Sequence, residues 1–99
     1  MAVIEKCEHS NNRYTWQFEC PGCGMWHQVF TKDGGFESTW WFNGDVNKPT
    51  FKPSLKVSIT KKHVCHFFIN RGVLQFCTDS THASAGKKIP MKDIINSKA

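Results

Sequence analysis

Ninety-nine residues suffice for one domain, 1–99, with a modest core that a bound zinc would help to hold together, and an aromatic content of 13% is too rich for a disordered chain. Thirteen Lys and Arg against eight Asp and Glu leave a net charge of +5, which permits an acidic partner without demanding one. No apolar run approaches the roughly 20 residues of a membrane span. The first six residues hold no secretory core and five Cys is an odd count, so the thiols read as metal ligands or core residues of a reduced, cytoplasmic protein.

Residues 2–12 are mixed and polar, and the Cys7-x-His9 pair in them reads as a surface or half-buried thiol. Residues 14–18 alternate Tyr14, Trp16 and Phe18 against Thr15 and Gln17, the pattern of a half-buried strand. The run enters Cys20-Pro21-Gly22-Cys23-Gly24 and a second strand-like run, 26–30, leaves it. Strand, Cys-Pro-x-Cys-Gly, strand is a rubredoxin-like zinc knuckle that aims two thiolates at one point, with Gly22 and Gly24 supplying positive φ. A thioredoxin-like redox role is weaker, because no βαβ pattern follows.

Residues 32–35 read as a turn and 36–42 as a strand. Trp40 and Trp41 then point to opposite faces, which leaves one of them for a partner. Pro49 and Pro53 remove ladder donors, so 47–54 reads as an extended edge or loop and not as a central strand. Leu55, Val57 and Ile59 alternate with Lys56, Ser58 and Thr60 in a clean strand, and Lys52, Lys56, Lys61 and Lys62 make this the most basic neighbourhood.

The chain is organised around residues 64–77, two apolar β-prone runs that meet at Arg71-Gly72. A two-residue turn there puts Phe67, Ile69, Leu74 and Phe76 on one face and His66, Phe68, Gln75 and Cys77 on the other, with Cys65 on the apolar side. A slip of one residue would instead pair Cys65 with Cys77. Beyond the hairpin, Asp79 or Ser80 caps a short helical turn through Ala85 that Gly86 ends, and 87–99 suits a short terminal helix or an extended tail.

A tetrahedral zinc site needs four ligands, and no second Cys-x-x-Cys exists to complete Cys20 and Cys23. The expected shell is Cys20, Cys23, His66 and His82, with Cys65 and Cys77 as alternates and His27 and His63 as outside candidates. With all four positions filled by protein the site is structural; an open position would suit hydrolysis. The competing arrangement is a cysteine hydrolase, with Cys65 or Cys77 as thiolate, His82 as base and Asp79 as the group that orients it.

Residues 49–55 (Pro-Thr-Phe-Lys-Pro-Ser-Leu), 65–69 (Cys-His-Phe-Phe-Ile) and 79–87 (Asp-Ser-Thr-His-Ala-Ser-Ala-Gly-Lys), with the Cys20 to Cys23 knuckle, resemble a family of small proteins of unknown function. Its members occur in bacteria and their phages, some of them encoded beside ubiquitin-like conjugation enzymes. The resemblance spans about residues 40–90. Cys77 falls where that family often has an aliphatic residue and Ser80 where it often has Cys, so the resemblance favours Cys65, His66 and His82 over Cys77 as site residues.

The expected protein is mainly β: about six short, mostly antiparallel strands in a sheet or small partly open barrel, with one zinc and a short C-terminal helical turn. The expected function is that of a zinc-stabilised interaction module of phage or mobile-element origin. It would bind a host or phage protein through Trp40, Trp41, Lys52, Lys56 and Lys62. Nucleic acid is the alternative partner, since basic and aromatic residues interleave as they do on base-stacking platforms. No membrane contact is expected.

Overall fold

The computed structural model describes residues 2–37 and 40–94. Its named elements are all strands: β1 (Glu5–Glu8), β2 (Tyr14–Glu19), β3 (Trp26–Val29), β4 (Trp41–Phe42), β5 (Phe51–Thr60), β6 (His63–Asn70), β7 (Val73–Phe76) and β8 (Lys88–Pro90). They form a three-stranded sheet, β1-β2-β3, and a five-stranded sheet, β4-β5-β6-β7-β8, with antiparallel neighbours throughout. The protein is thus mainly β, in two open sheets, with no closed barrel among the described residues.

The central hairpin takes the register of the two-residue turn, pairing Asn70 with Val73, Ile69 with Leu74, Phe68 with Gln75 and Phe67 with Phe76. Arg71 and Gly72 have φ of 50° and 77°, the left-handed pair of a type I′ turn whose twist matches that of the strands it joins. Phe67, Ile69, Leu74 and Phe76 are consequently buried, while His66 and Phe68 face outward. The three-stranded sheet closes over the buried face. Phe18 meets Phe67 edge-on at 5.9 Å and His27 stacks on Phe67 at 5.4 Å.

Four expectations are corrected. The strand expected over 36–42 is reduced to β4, with Trp40 in an isolated parallel bridge to Thr31; Ser38 and Thr39 lie outside the described residues. Pro53 belongs to β5, which lies between β4 and β6. It is tolerated because β4 reaches only to Lys52 and the β5–β6 register breaks between Phe51 and Leu55, so little ladder is left for its missing N–H to spoil. The segment after β7 forms turns, with Ala85 N–H donating to His82 C=O and Lys87 N–H to Ser84 C=O. The 87–99 tail, by contrast, takes one of its two expected forms, extended over 88–90 as strand β8; 95–99 lie outside the described residues. In the knuckle only Gly24 has positive φ, 76°; Gly22 serves by being small, since a Cβ there would lie 2.7 Å from both the His82 and Phe76 rings.

Candidate active site and metal centre

Two groups of functional side chains sit back to back across β6. Successive residues of a strand face opposite sides, so Cys65 enters the core and His66 the outer face.

On the core side, Cys20 follows β2, Cys23 lies in the knuckle turn and His27 is carried by β3. Their donor atoms and that of Cys65 all lie within 4.8 Å of one another. The turn is closed by Cys20 N–H to Met25 C=O at 2.8 Å and Gly24 N–H to Cys20 C=O at 2.9 Å. Cys20 Sγ is 3.8 Å from Cys65 Sγ, and Cys23 Sγ is 3.2 Å from His27 Nε2. Two thiolates on a tetrahedral zinc with bonds of ~2.3 Å are separated by about 3.8 Å, so the donor set and its spacing suit such an ion.

The contact between Cys20 and Cys65 couples the two thiols. Accepting a hydrogen bond from Cys65 draws Cys20 down to about 4. Donating that bond, together with burial, pushes Cys65 up, and burial raises Cys23. A buried thiolate of this kind is what a dication stabilises.

His82 approaches the cluster from the turn after β7, with Nε2 at 3.4 Å from Cys65 Sγ and its ring edge-on to Phe76. Ser84 N–H donates to His82 Nδ1 at 3.2 Å, so the neutral ring keeps its proton on Nε2 and offers that proton to the Cys65 sulfur.

On the outer face, His66 Nε2 is 3.1 Å from Ser54 Oγ, and His66 Nδ1 is 3.0 and 3.1 Å from the two Asp79 carboxylate oxygens. Asp79 accepts at Nδ1, so that nitrogen carries the proton and Nε2 presents its lone pair to the Ser54 hydroxyl. The His66 hydrogen bond is the largest influence holding the Asp79 carboxyl below its ordinary range.

Each member is held from behind. The irregular stretch of β5 presents Ser54, whose carbonyl accepts the Trp40 indole N–H at 3.2 Å. The buried Ser80 hydroxyl accepts His66 N–H at 3.0 Å and donates to His66 C=O at 2.9 Å, fixing the backbone of the central imidazole. Lys56 Nζ stands 3.7 Å from Asp79 Oδ2.

The structure therefore divides the site residues named from sequence. Cys20 and Cys23 come together, and Cys65 and His27 join them. His66 is turned away from the cluster by strand parity and held by Ser54 and Asp79. His82 touches Cys65, and Asp79 pairs with His66 and not with His82. Cys77 lies near His66 and Asp79, its thiol raised by burial and then by the Asp79 charge. Trp41 is 56% exposed beneath Lys52 Nζ at 5.5 Å, and Lys62 is exposed in the β5–β6 turn. Ser54 was not singled out by sequence reading, although the Pro53-Ser54 step stands in the quoted motif.

Fold and site together define a class: a small two-sheet β protein with a Cys/His cluster that could hold a metal ion on one side of a strand and a serine–histidine–aspartate relay on the other. The chain belongs to the family described as bacterial ubiquitination-like system serine protease (BubE), whose model matches residues 2–77. Ser54 and His66 lie inside the matched residues and Asp79 just beyond them. No curated protein and no solved structure matches the chain. No helix among the described residues is long and apolar enough to cross a membrane.

Proposed function

We propose that this chain is a zinc-stabilised serine peptidase that cleaves peptide or isopeptide bonds of the ubiquitin-like protein of its own bacterial system. The observation that carries the reading is the continuous relay Ser54 Oγ, His66 imidazole, Asp79 carboxylate, with contacts of 3.1 and 3.0 Å.

Ser54 Oγ attacks the scissile carbonyl carbon while His66 Nε2 takes the hydroxyl proton. Asp79 holds the ring in the tautomer this needs and stabilises the imidazolium that forms. The same proton passes to the departing amine, leaving an acyl group on Ser54. Water, deprotonated in turn by His66, releases the acid and restores the serine.

Cys20, Cys23, His27 and Cys65 would hold the metal, which supplies a cross-link between the two sheets. Because Cys65 directly precedes His66, that cross-link also fixes the strand that carries the base.

On the relay's face, Phe68 is 46% exposed and, with Lys52 and Gln75, walls a cavity of about 290 Å³. The cavity seats a substrate side chain, and the exposed surface of Trp41, Lys52 and Lys56 that reads as a partner surface in the sequence becomes the substrate-facing surface.

The test is cleavage of a C-terminally extended form of the system's ubiquitin-like protein by wild type, Ser54→Ala and Cys77→Ala. Loss of roughly 10⁴-fold or more in Ser54→Ala with melting temperature preserved is expected. Wild-type turnover by Ser54→Ala would end the reading, and selective loss in Cys77→Ala would move the nucleophile to the thiol.

A further inference from the structure

The relay's outer end contains a group that catalysis does not use. Cys77 immediately follows β7, beside His66, whose C=O accepts Cys77 N–H at 2.8 Å. Its Sγ, a ring nitrogen of His66 and an Asp79 carboxylate oxygen all lie within 4.8 Å of one another, and the nitrogen turned toward Asp79 is Nδ1. Among the described residues no hydrogen-bond partner engages the Cys77 thiol. The three donors are half-buried to exposed, so an ion reaches them from solvent without any rearrangement of the core.

We propose that His66, Cys77 and Asp79 form a second, inhibitory site for Zn²⁺ that shuts the hydrolase off by taking the histidine out of the relay. The inhibition, though not the metal site, rests on the serine peptidase reading above.

One imidazole nitrogen, one thiolate and one carboxylate form a mixed donor set that suits Zn²⁺ over the oxygen-seeking Mg²⁺ and Ca²⁺. Nitrogen and oxygen ligands of a tetrahedral zinc stand about 3.3 Å apart, and Nδ1 is already 3.0 Å from Asp79 Oδ1. Three protein ligands leave the fourth position to water. The core cluster, by contrast, offers four protein donors that are mostly buried. The outer ion is therefore the weaker and the exchangeable one.

Binding has a direct chemical consequence. Coordination expels the Nδ1 proton and the Cys77 thiol proton to solvent, and the carboxylate that oriented the ring now binds the ion. His66 loses its hydrogen bond to Asp79, and a dication on Nδ1 withdraws electron density from Nε2. The ring can no longer act as base toward Ser54 Oγ. Lys56, at 3.7 Å from Asp79 Oδ2, competes with the ion for the carboxylate and sets its threshold.

The experiment uses the full chain with its core cluster already loaded. Zn²⁺ from a buffered stock is titrated into hydrolysis assays of wild type, Cys77→Ser and, as a control thiol, Cys7→Ser. Expected are unchanged basal rates in all three, reversible inhibition of wild type and Cys7→Ser, and a half-inhibiting Zn²⁺ concentration at least tenfold higher in Cys77→Ser. Equal inhibition of Cys77→Ser and wild type would overturn the proposal.

A readout independent of activity is the thiolate–metal charge-transfer absorption when a second equivalent of Cd²⁺ is added. It should appear in wild type and be absent from Cys77→Ser. Its absence from wild type removes the site whether or not the protein hydrolyses anything. Its presence in a wild type without hydrolase activity keeps the site, and overturns both the inhibition and the peptidase reading.

Discussion

Replacing Gly22 by Ala tests how tightly the knuckle is packed on the central hairpin. An added Cβ would lie 2.7 Å from His82 Cε1 and 2.7 Å from Phe76 Cζ, well inside ordinary carbon–carbon contact of about 3.5–4.0 Å. Phe76 is 1% exposed and packed against Phe67, so it has nowhere to go without moving the core. Gly22 does not have positive φ, so backbone strain does not contribute. Overpacking costs about 1–3 kcal/mol, and the lost freedom of the unfolded chain returns about 0.4–1 kcal/mol. Midway in both ranges the net is about 1.3 kcal/mol of destabilisation, or about 5–10 °C in melting temperature for a chain of this size. Gly24→Ala is the matched control: nothing lies within 4 Å of its Cβ, but its φ of 76° costs an alanine about 1–2 kcal/mol. The assay is thermal unfolding of the metal-loaded variants, with Cys65 accessibility to a thiol reagent as a local probe. A Gly22→Ala protein as stable as wild type would refute the claim that knuckle and hairpin are in hard contact there.

Three further outcomes follow from the same geometry. Asp79→Asn should lower kcat by roughly 10⁴-fold, the cost of the wrong imidazole tautomer in such relays, and leave melting almost unchanged because Asp79 is exposed; steady-state kinetics and calorimetry read the two separately. Ser80→Ala should cost about 1–3 kcal/mol by orphaning the His66 N–H, and should lower kcat more than it raises KM; Ser80→Thr should restore part of both. If the Cys20, Cys23, His27 and Cys65 cluster holds zinc as proposed, a strong chelator should unfold the chain, because a structural zinc contributes about 10–16 kcal/mol and whole domains are stable by only about 5–15 kcal/mol; circular dichroism with zinc add-back checks this.

The hairpin was legible because two independent signals agreed. Period-2 burial and the Arg71-Gly72 turn allow only one register with a filled core. Half the metal cluster was equally plain, since Cys20 and Cys23 carry their own turn. The other half was obscured by adjacency: Cys65 and His66 look like one metal motif, yet neighbours in a strand cannot face the same ion. Strand parity separates them as soon as the knuckle is placed on the core side. His27 is visible in retrospect as the β3 residue on the face of Val29, both buried. Ser54 escaped notice for another reason. Two prolines argued against any ladder across 49–53, whereas the chain accommodates Pro53 at a register break, and that break brings Ser54 to His66.

The proposed peptidase requires Ser54 to be a nucleophile activated by His66. Intact-mass analysis after treatment with a fluorophosphonate, followed by peptide mapping, tests it without knowledge of the substrate. A single adduct on Ser54 is expected, absent from Ser54→Ala and from His66→Ala. An unmodified Ser54 in a folded, metal-loaded protein would contradict it.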